Sequence, residues 1–351
     1  MRTLIIGAGA VGSVIGAHMA RDGGQVTIAD GWFHHVEAIR RHGLRVEAVE
    51  QDFTIGVEAL HLEELPTFGE ADLVVLAGKS YDTRMLALLA RENMHATTVV
   101  MSAQNGMNDC VVSEIVGAER TVGCVVAMAA DLLEAGLVRR TSQADVAALT
   151  IGHLRPDHTR DLTPFAEALG ALGRVDVAPD IWPERWGKLT LNSMSNGLAG
   201  LTGLRSEYLW SSDCILDVAI ALAHETAMVA AASGVYAAPV LGRITHDTLL
   251  DADRRGNPAW CEALSIMREI ASVRVGRRGN RASLLQDIEK GRRTEIRHLN
   301  GWVAARGAAL GVEAPTHTKI VSEVEPVERR ERPAAERNAD VLVASVRDLY
   351  G

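Results

Sequence analysis

The sequence has only four cysteines in 351 residues: Cys110, Cys124, Cys214 and Cys261. They are too scattered for a zinc knuckle and too few for a disulfide scaffold, so they are expected to be small buried thiols. Basic residues are also in deficit, 36 Lys and Arg against 45 Asp and Glu, for a formal net charge of −9. Nucleic acid and anionic membrane both need a basic footprint, so neither is expected as a partner. Long apolar runs are scarce. The most apolar segment, Val218 to Val235, is interrupted by His224 and Glu225 and reads as a buried helix and not a membrane span. The chain enters a strand-like run at Thr3–Ile6 and turns at Gly7, without the longer apolar stretch of a secretory signal. A cytoplasmic protein is therefore expected. His34 and His35 are adjacent and point apart on a helix or a strand, unlike the one-face pair of a metal site, so no metal is expected.

What is present is an ordinary globular balance, 47% hydrophobic and 23% charged, in a chain long enough for two domains. Apolar runs at Thr3–Ile6, Val26–Ala29, Leu73–Ala77, Thr97–Met101, Val122–Ala129 and Ala147–Ile151 read as strands. Helical stretches alternate with the earlier ones, including Phe33–His42, which should stop at Gly43. This pattern predicts an α/β, Rossmann-type, doubly wound parallel sheet over residues 1–180. Val138–Thr141 is expected as an antiparallel extension of that sheet. From 181 to 351 helical periodicity dominates, predicting an all-α domain with helices near 183–199, 213–233, 258–273, 292–310 and 316–325. Pro326 to Glu336 reads as a solvated connector, and a closing helix over 334–349 carries Ala339, Leu342, Val346 and Leu349 at helical spacing.

Gly7-Ala8-Gly9-Ala10-Val11-Gly12 directly follows the first strand and opens a helix. In a dinucleotide fingerprint the first glycine makes the tight turn. The second lets the backbone approach the pyrophosphate, and the third lets helix and strand pack closely. The N–H groups of the helix start, around Ala10 and Val11, then face the phosphates. Asp30 lies 18 residues beyond Gly12, near the spacing at which an acid meets the adenosine ribose 2′-hydroxyl. A carboxylate there repels a 2′-phosphate, and no Arg or Lys follows until Arg40. NAD(H) is therefore favoured over NADP(H), with His34 or His35 left as candidate phosphate contacts.

Lys188, Asn192 and Asn196 recur at i, i+4 and i+8, on one face of a helix. Asn280, Ser283, Glu295 and the pair Asn300-Gly301 follow further on. With the glycine loop, Lys79 after the third main strand and the Gln104-Asn105-Gly106 turn, this set resembles the ketopantoate reductase (2-dehydropantoate 2-reductase) family over roughly residues 1 to 320. The resemblance implies Lys188 as general acid and Glu295 as the group that orients the substrate hydroxyl and the lysine. It further implies Asn192, Asn196, Ser283 and Asn280 as substrate contacts, with Lys79 and Asn105 beside the nicotinamide and its ribose. The chemistry supports such a lysine independently. Hydride delivery to a 2-oxo carbon builds alkoxide charge that an ammonium both stabilises and protonates.

Three features depart from that family. Extra length lies between about Thr245 and Arg278 and after Glu325, a candidate homodimer contact. The second strand ends Ala29-Asp30-Gly31-Trp32, without the basic residue that meets a 2′-phosphate. Glycines at 197 and 200 suggest a differently shaped pocket. The expected activity is reduction of a 2-oxo acid to the 2-hydroxy acid by NAD(P)H. An NAD-dependent D-2-hydroxy-acid dehydrogenase of the same family and a non-catalytic dinucleotide sensor are the alternatives.

Overall fold

In strand β1 (Arg2–Ile6), Leu4 and Ile6 enter one hydrophobic core while Ile5 enters another. That two-sided burial is what a central parallel strand needs, and it explains why the run is apolar throughout. The computed structural model describes residues 1–142, 147–274 and 281–351, which form two units, Met1–Ile181 and Trp182–Gly351.

The first unit continues with α1 (Ala10–Arg21), β2 (Gln25–Asp30), α2 (Phe33–His42), β3 (Leu44–Glu47), β4 (Phe53–Ile55), β5 (Glu58–His61), β6 (Ala71–Leu76) and α3 (Thr83–Arg91). Then come β7 (Met94–Ser102), α4 (Asp109–Val116), β8 (Thr121–Val126), β9 (Ala130–Glu134), β10 (Leu137–Arg140), β11 (Leu149–His153), α5 (Thr163–Leu169) and β12 (Val175–Ala178). Eight strands form the main sheet in the order β12-β11-β8-β7-β6-β1-β2-β5, parallel except where β11 meets β8. Helices α3 and α4 contribute to the core on one face. On the other, α1, α2 and α5 pack together with a second, four-stranded sheet. The expected doubly wound fold is present, and α2 ends at Gly43 with φ +77°.

One strand is placed differently. Leu137–Arg140 does not extend the main sheet; β10 pairs antiparallel with β9 and parallel with β3 in the smaller sheet. The reason is local. Only Ala135 and Gly136 separate β9 from β10, and Gly136 takes φ +77°, so hairpin closure wins over a distant partner.

The second unit is helical: α6 (Trp182–Thr202), α7 (Ser206–Leu209), α8 (Asp213–Ala232), α9 (His246–Asp251), α10 (Pro258–Arg274), α11 (Ser283–Glu289), α12 (Asn300–Leu310), α13 (Pro315–Glu328) and α14 (Asp340–Tyr350). The segment 292–310 is not one helix. Leu299, at φ −104° and ψ −92°, breaks it between a short 3₁₀ turn at Ile296–His298 and α12. Helix α13 also runs past Pro326, so the expected connector is shorter. In α14 the buried anchors are Leu342, Val346 and Tyr350, whereas Leu349 is exposed. Of the four thiols only Cys124 is buried; Cys110 and Cys261 are exposed.

Buried polar groups on α8 organise this core. Glu225 accepts the Thr316 and His317 N–H groups at the start of α13, at 2.9 and 3.1 Å, and the Tyr350 hydroxyl at 3.0 Å. His317 donates from Nε2 to the Leu222 carbonyl at 3.0 Å, so Nδ1 is the acceptor facing Asn300 Nδ2 at 3.3 Å. Asn300 Nδ2 also donates to the Ser193 carbonyl of α6 at 3.0 Å. Burial drives the His317 pKa down to about 4. Below pH 6.5 the unfolded chain takes up a proton that folded His317 refuses. This single group should therefore cost about 3 kcal/mol of stability between pH 7 and pH 4 and little more below. Urea unfolding at the two pH values, with and without His317→Gln, measures that share; an unchanged pH slope in the variant would refute it.

Candidate active site

The turn from β1 into α1 is built around its glycines. Gly7 takes φ +101°, and a Cβ there would overlap the backbone of Gly78. A Cβ on Gly12 would overlap the Gly7 carbonyl oxygen, so the start of α1 lies directly against the loop. Gly9 is different: a Cβ would meet nothing nearer than the Ala77 oxygen at 3.9 Å. No side chain caps α1 at Gly9, and its first turn carries no acid, so the N–H groups around half-buried Ala10 and Val11 suit an anion. These residues fit a dinucleotide pyrophosphate.

Asp30 ends β2 and turns its carboxylate inward. Oδ2 accepts the Ala8 N–H and Oδ1 the Trp32 N–H, both at 2.7 Å. The acid thus ties the glycine loop to the strand beside it. His35 is fully buried beneath the same loop and cannot receive a phosphate. Its Nδ1 accepts the Gly136 N–H at 2.9 Å, which leaves the proton on Nε2, facing Ser13 Oγ at 3.2 Å. Ser13 Oγ donates onward to the Ala8 carbonyl at 2.8 Å, and the Trp32 ring stacks on His35 at 5.4 Å. Desolvation lowers the His35 pKa, as a neutral ring in this chain of bonds requires. His34 is exposed, and Arg40 is engaged by Glu37 and Glu64.

Half-buried Lys79 and Asn105 follow β6 and β7. Gln104 joins the two loops, donating from Nε2 to the Gly78 and Lys79 carbonyls at 3.1 Å each. Ser80 Oγ and Asn108 Nδ2 both donate to the Asn105 carbonyl at 2.7 Å. Of these bracing residues, Ser80 and Asn108 carry no sequence signal beyond their nearness to Lys79 and the Gln104-Asn105-Gly106 turn.

In the second unit Lys188, Asn192 and Asn196 share one face of α6, with both amides more than nine-tenths buried. Lys188 keeps a strip of accessible side chain, yet desolvation of its ammonium lowers its pKa. That ammonium makes no hydrogen bond or ion pair among the described residues. The segments carrying Ser283 and Glu295 pack on the same helix. A Cβ at Gly200 would overlap Leu284, next to Ser283, and one at Gly197 would lie 2.7 Å from Ile320 and 3.1 Å from Ile296, next to Glu295. The two glycines therefore admit neighbouring segments to α6. Ser283 is half-buried at the start of α11, and Glu295 is 3% exposed. Asn280 lies outside the described residues.

Two family models match the chain: ketopantoate reductase PanE/ApbA over residues 3–155, and the C-terminal part of the same family over 180–328. The chain belongs to the ketopantoate reductase family. A 2-dehydropantoate 2-reductase of Pyrococcus horikoshii is 27% identical over 318 residues, covering 90% of this chain and 93% of that protein. One from Archaeoglobus fulgidus is 26% identical over 330 residues, covering 93% and 98%. Among solved structures, a PanE/ApbA family ketopantoate reductase from Ralstonia eutropha JMP134 superposes with TM-score 0.76 at 27% identity, covering 94% of this chain and 99% of its own. D-mandelate dehydrogenase, solved with NADH and anilino(oxo)acetate, shares the fold with TM-score 0.79 at 20% identity, covering 94% and 99%. In this ketopantoate reductase family member, residues 329–351 extend beyond the matched segments.

Proposed function

We infer that the protein reduces a 2-oxo acid, 2-dehydropantoate or a related compound, to the 2-hydroxy acid, with Lys188 as general acid. The observation that carries this reading is the desolvated Lys188 ammonium, unpaired among the described residues, on the helix face of Asn192 and Asn196. A lysine is rarely held this way without a task. Bound NAD(P)H supplies the hydride. As the carbonyl oxygen gains charge, Lys188 stabilises it and delivers the proton. Glu295 orients the substrate hydroxyl and the lysine, while Asn192, Asn196, Ser283 and Asn280 hold the substrate's hydroxyl and carboxylate groups. Lys79 and Asn105 contact the nicotinamide and its ribose, and Gly7, Gly9, Ala10, Val11 and Gly12 hold the pyrophosphate. A cytoplasmic homodimer belongs to the same reading.

The cofactor preference follows from Asp30. Two backbone N–H groups lock its carboxylate at the end of β2, so the negative charge cannot swing away from an incoming 2′-phosphate. NAD(H) is the favoured cofactor. That preference also supports a second reading, an NAD-dependent D-2-hydroxy-acid dehydrogenase acting on another substrate.

A panel of 2-oxo and 2-hydroxy acids, 2-dehydropantoate included, assayed with both cofactors separates the two readings. Turnover on none of them would overturn both. The pH profile gives an independent check. A general acid must be protonated, and burial lowers the Lys188 pKa from 10.5. Reduction should therefore lose kcat/KM as pH rises through a value below 10.5. A profile flat to that pH would count against Lys188 as the acid.

A further inference from the structure

Glu295 is separated from α11 by the stretch Lys290–Thr294, in which Gly291 takes φ +61° and Arg292 and Arg293 are exposed. The loop bonds back to α11 through the Arg292 N–H to the Asp287 carbonyl at 2.8 Å, and the Glu295 carbonyl accepts the His298 N–H at 2.8 Å. The residue between these bonds, Thr294, is held by the last turn of α13. Glu328 Oε2 accepts the Thr294 N–H at 2.7 Å and the Thr294 hydroxyl as well. One carboxylate oxygen thus pins both the main chain and the side chain of the residue just before Glu295. Ile296, just after it, packs against α6 at Gly197.

The chain beyond Glu328 continues the same work. The Arg330 guanidinium lies over Gly291 so closely that any Cβ there would overlap it. Further on, the Ala335 N–H at 3.2 Å and Asn338 Nδ2 at 3.1 Å both donate to the Leu201 carbonyl. Leu201 sits in the last turn of α6, where carbonyls have no partner within the helix. Residues 328–338 therefore secure both the loop leading into Glu295 and the end of the helix that carries Lys188.

We propose that Glu328 is a positioning residue for catalysis, fixing Glu295 through Thr294, with the segment up to Asn338 holding α6 in the same frame. The inference rests on the reading of Glu295 as a catalytic group. Positioning of this kind matters because a displacement of about 1 Å at a reacting group costs on the order of a hundredfold in rate.

The test compares Glu328→Ala, Glu328→Gln, Thr294→Val and Glu295→Ala in the full chain. Turnover is measured at saturating 2-oxo acid and normalised to NAD(P)H-binding sites counted by fluorescence titration. Glu328→Ala should lower kcat by roughly ten- to a hundredfold with cofactor affinity unchanged. Glu328→Gln keeps an oxygen able to accept both bonds, so it should stay within about threefold of the parent chain, a rescue that lost packing or lost charge would not give. A folded Glu328→Ala protein with parental kcat overturns the proposal. If that variant fails to fold, Thr294→Val decides, because it keeps the main-chain bond to Glu328 and removes the hydroxyl bond, along with the 3.4 Å contact that the hydroxyl accepts from the Ile296 N–H: a several-fold loss of kcat supports the clamp and parental kcat overturns it. Parental turnover in Glu295→Ala would instead overturn the catalytic assignment beneath the proposal. Loss there alone, with Glu328→Ala and Thr294→Val active, removes only the clamp.

Discussion

Lys188→Ala should lower turnover with a 2-oxo acid by about 10²–10⁴-fold, the range typical of removing a positioned proton donor. NAD(P)H binding should stay nearly unchanged, because the glycine loop proposed to hold the dinucleotide lies in the first unit, at Gly7–Gly12, and Lys188 in the second. The size of the effect follows from the lysine's setting. Its ammonium is desolvated and has no hydrogen bond or ion pair among the described residues, so its charge is available to the substrate. Lys188→Arg should recover little. A guanidinium stays protonated and cannot hand a proton to a developing alkoxide at neutral pH. Stopped-flow reduction with single-turnover analysis distinguishes lost chemistry from lost binding; parental turnover in the alanine variant would remove the assignment.

The second large effect concerns the glycine loop, where two neighbouring substitutions should behave differently. Gly12→Ala places a methyl group into the Gly7 carbonyl oxygen, and backbone cannot rotate away as a side chain can. The loop and α1 must separate, at a cost of about 1–3 kcal/mol or more. Both thermal stability and dinucleotide affinity should fall, the latter by roughly a hundredfold, corresponding to about 2.7 kcal/mol. Gly9→Ala meets nothing nearer than the Ala77 oxygen at 3.9 Å. Its Tm should match the parent while NAD(P)H affinity drops, since the methyl group stands where the pyrophosphate approaches. Melting curves and NAD(P)H fluorescence titrations of the pair read both quantities. Parental affinity in Gly9→Ala would remove the fingerprint reading of this loop.

Much of the first unit was legible because its signals are local. An apolar run followed by three spaced glycines specifies strand, turn and helix start through backbone sterics, and Gly43 ends α2 by the same means. The sheet assignment of Leu137–Arg140 was not legible, because strand partners depend on hairpin geometry and not on the strand's own residues. In the second unit helical periodicity exposed the long helices. It missed the short helices α7, α9 and α11, of four, six and seven residues, and the break at Leu299, where too few residues exist to show a period. In the extra length after Glu325, Leu342, Val346 and Tyr350 of α14 pack into the unit's own core, and Tyr350 reaches Glu225, contacts that helical spacing alone does not reveal.

The candidate site divides along the same line. The types and spacing of Gly7, Gly9, Gly12, Asp30, Lys188, Asn192 and Asn196 are properties of the chain itself, set by helix periodicity and by what each side chain can do. By itself the sequence determined a doubly wound dinucleotide domain joined to a helical domain, and the family to which both belong. Only the tertiary structure decided what each of those groups is bonded to. Asp30 faces the Ala8 and Trp32 N–H groups, His35 is buried under the loop and not open to a phosphate, and Gly197 and Gly200 admit Ile320 and Leu284. Glu328 meets Thr294 across 34 residues of chain. Burial and pairing of this kind arise from contacts between distant segments. No local pattern encodes them, and they decide which partners each group named from the sequence can reach.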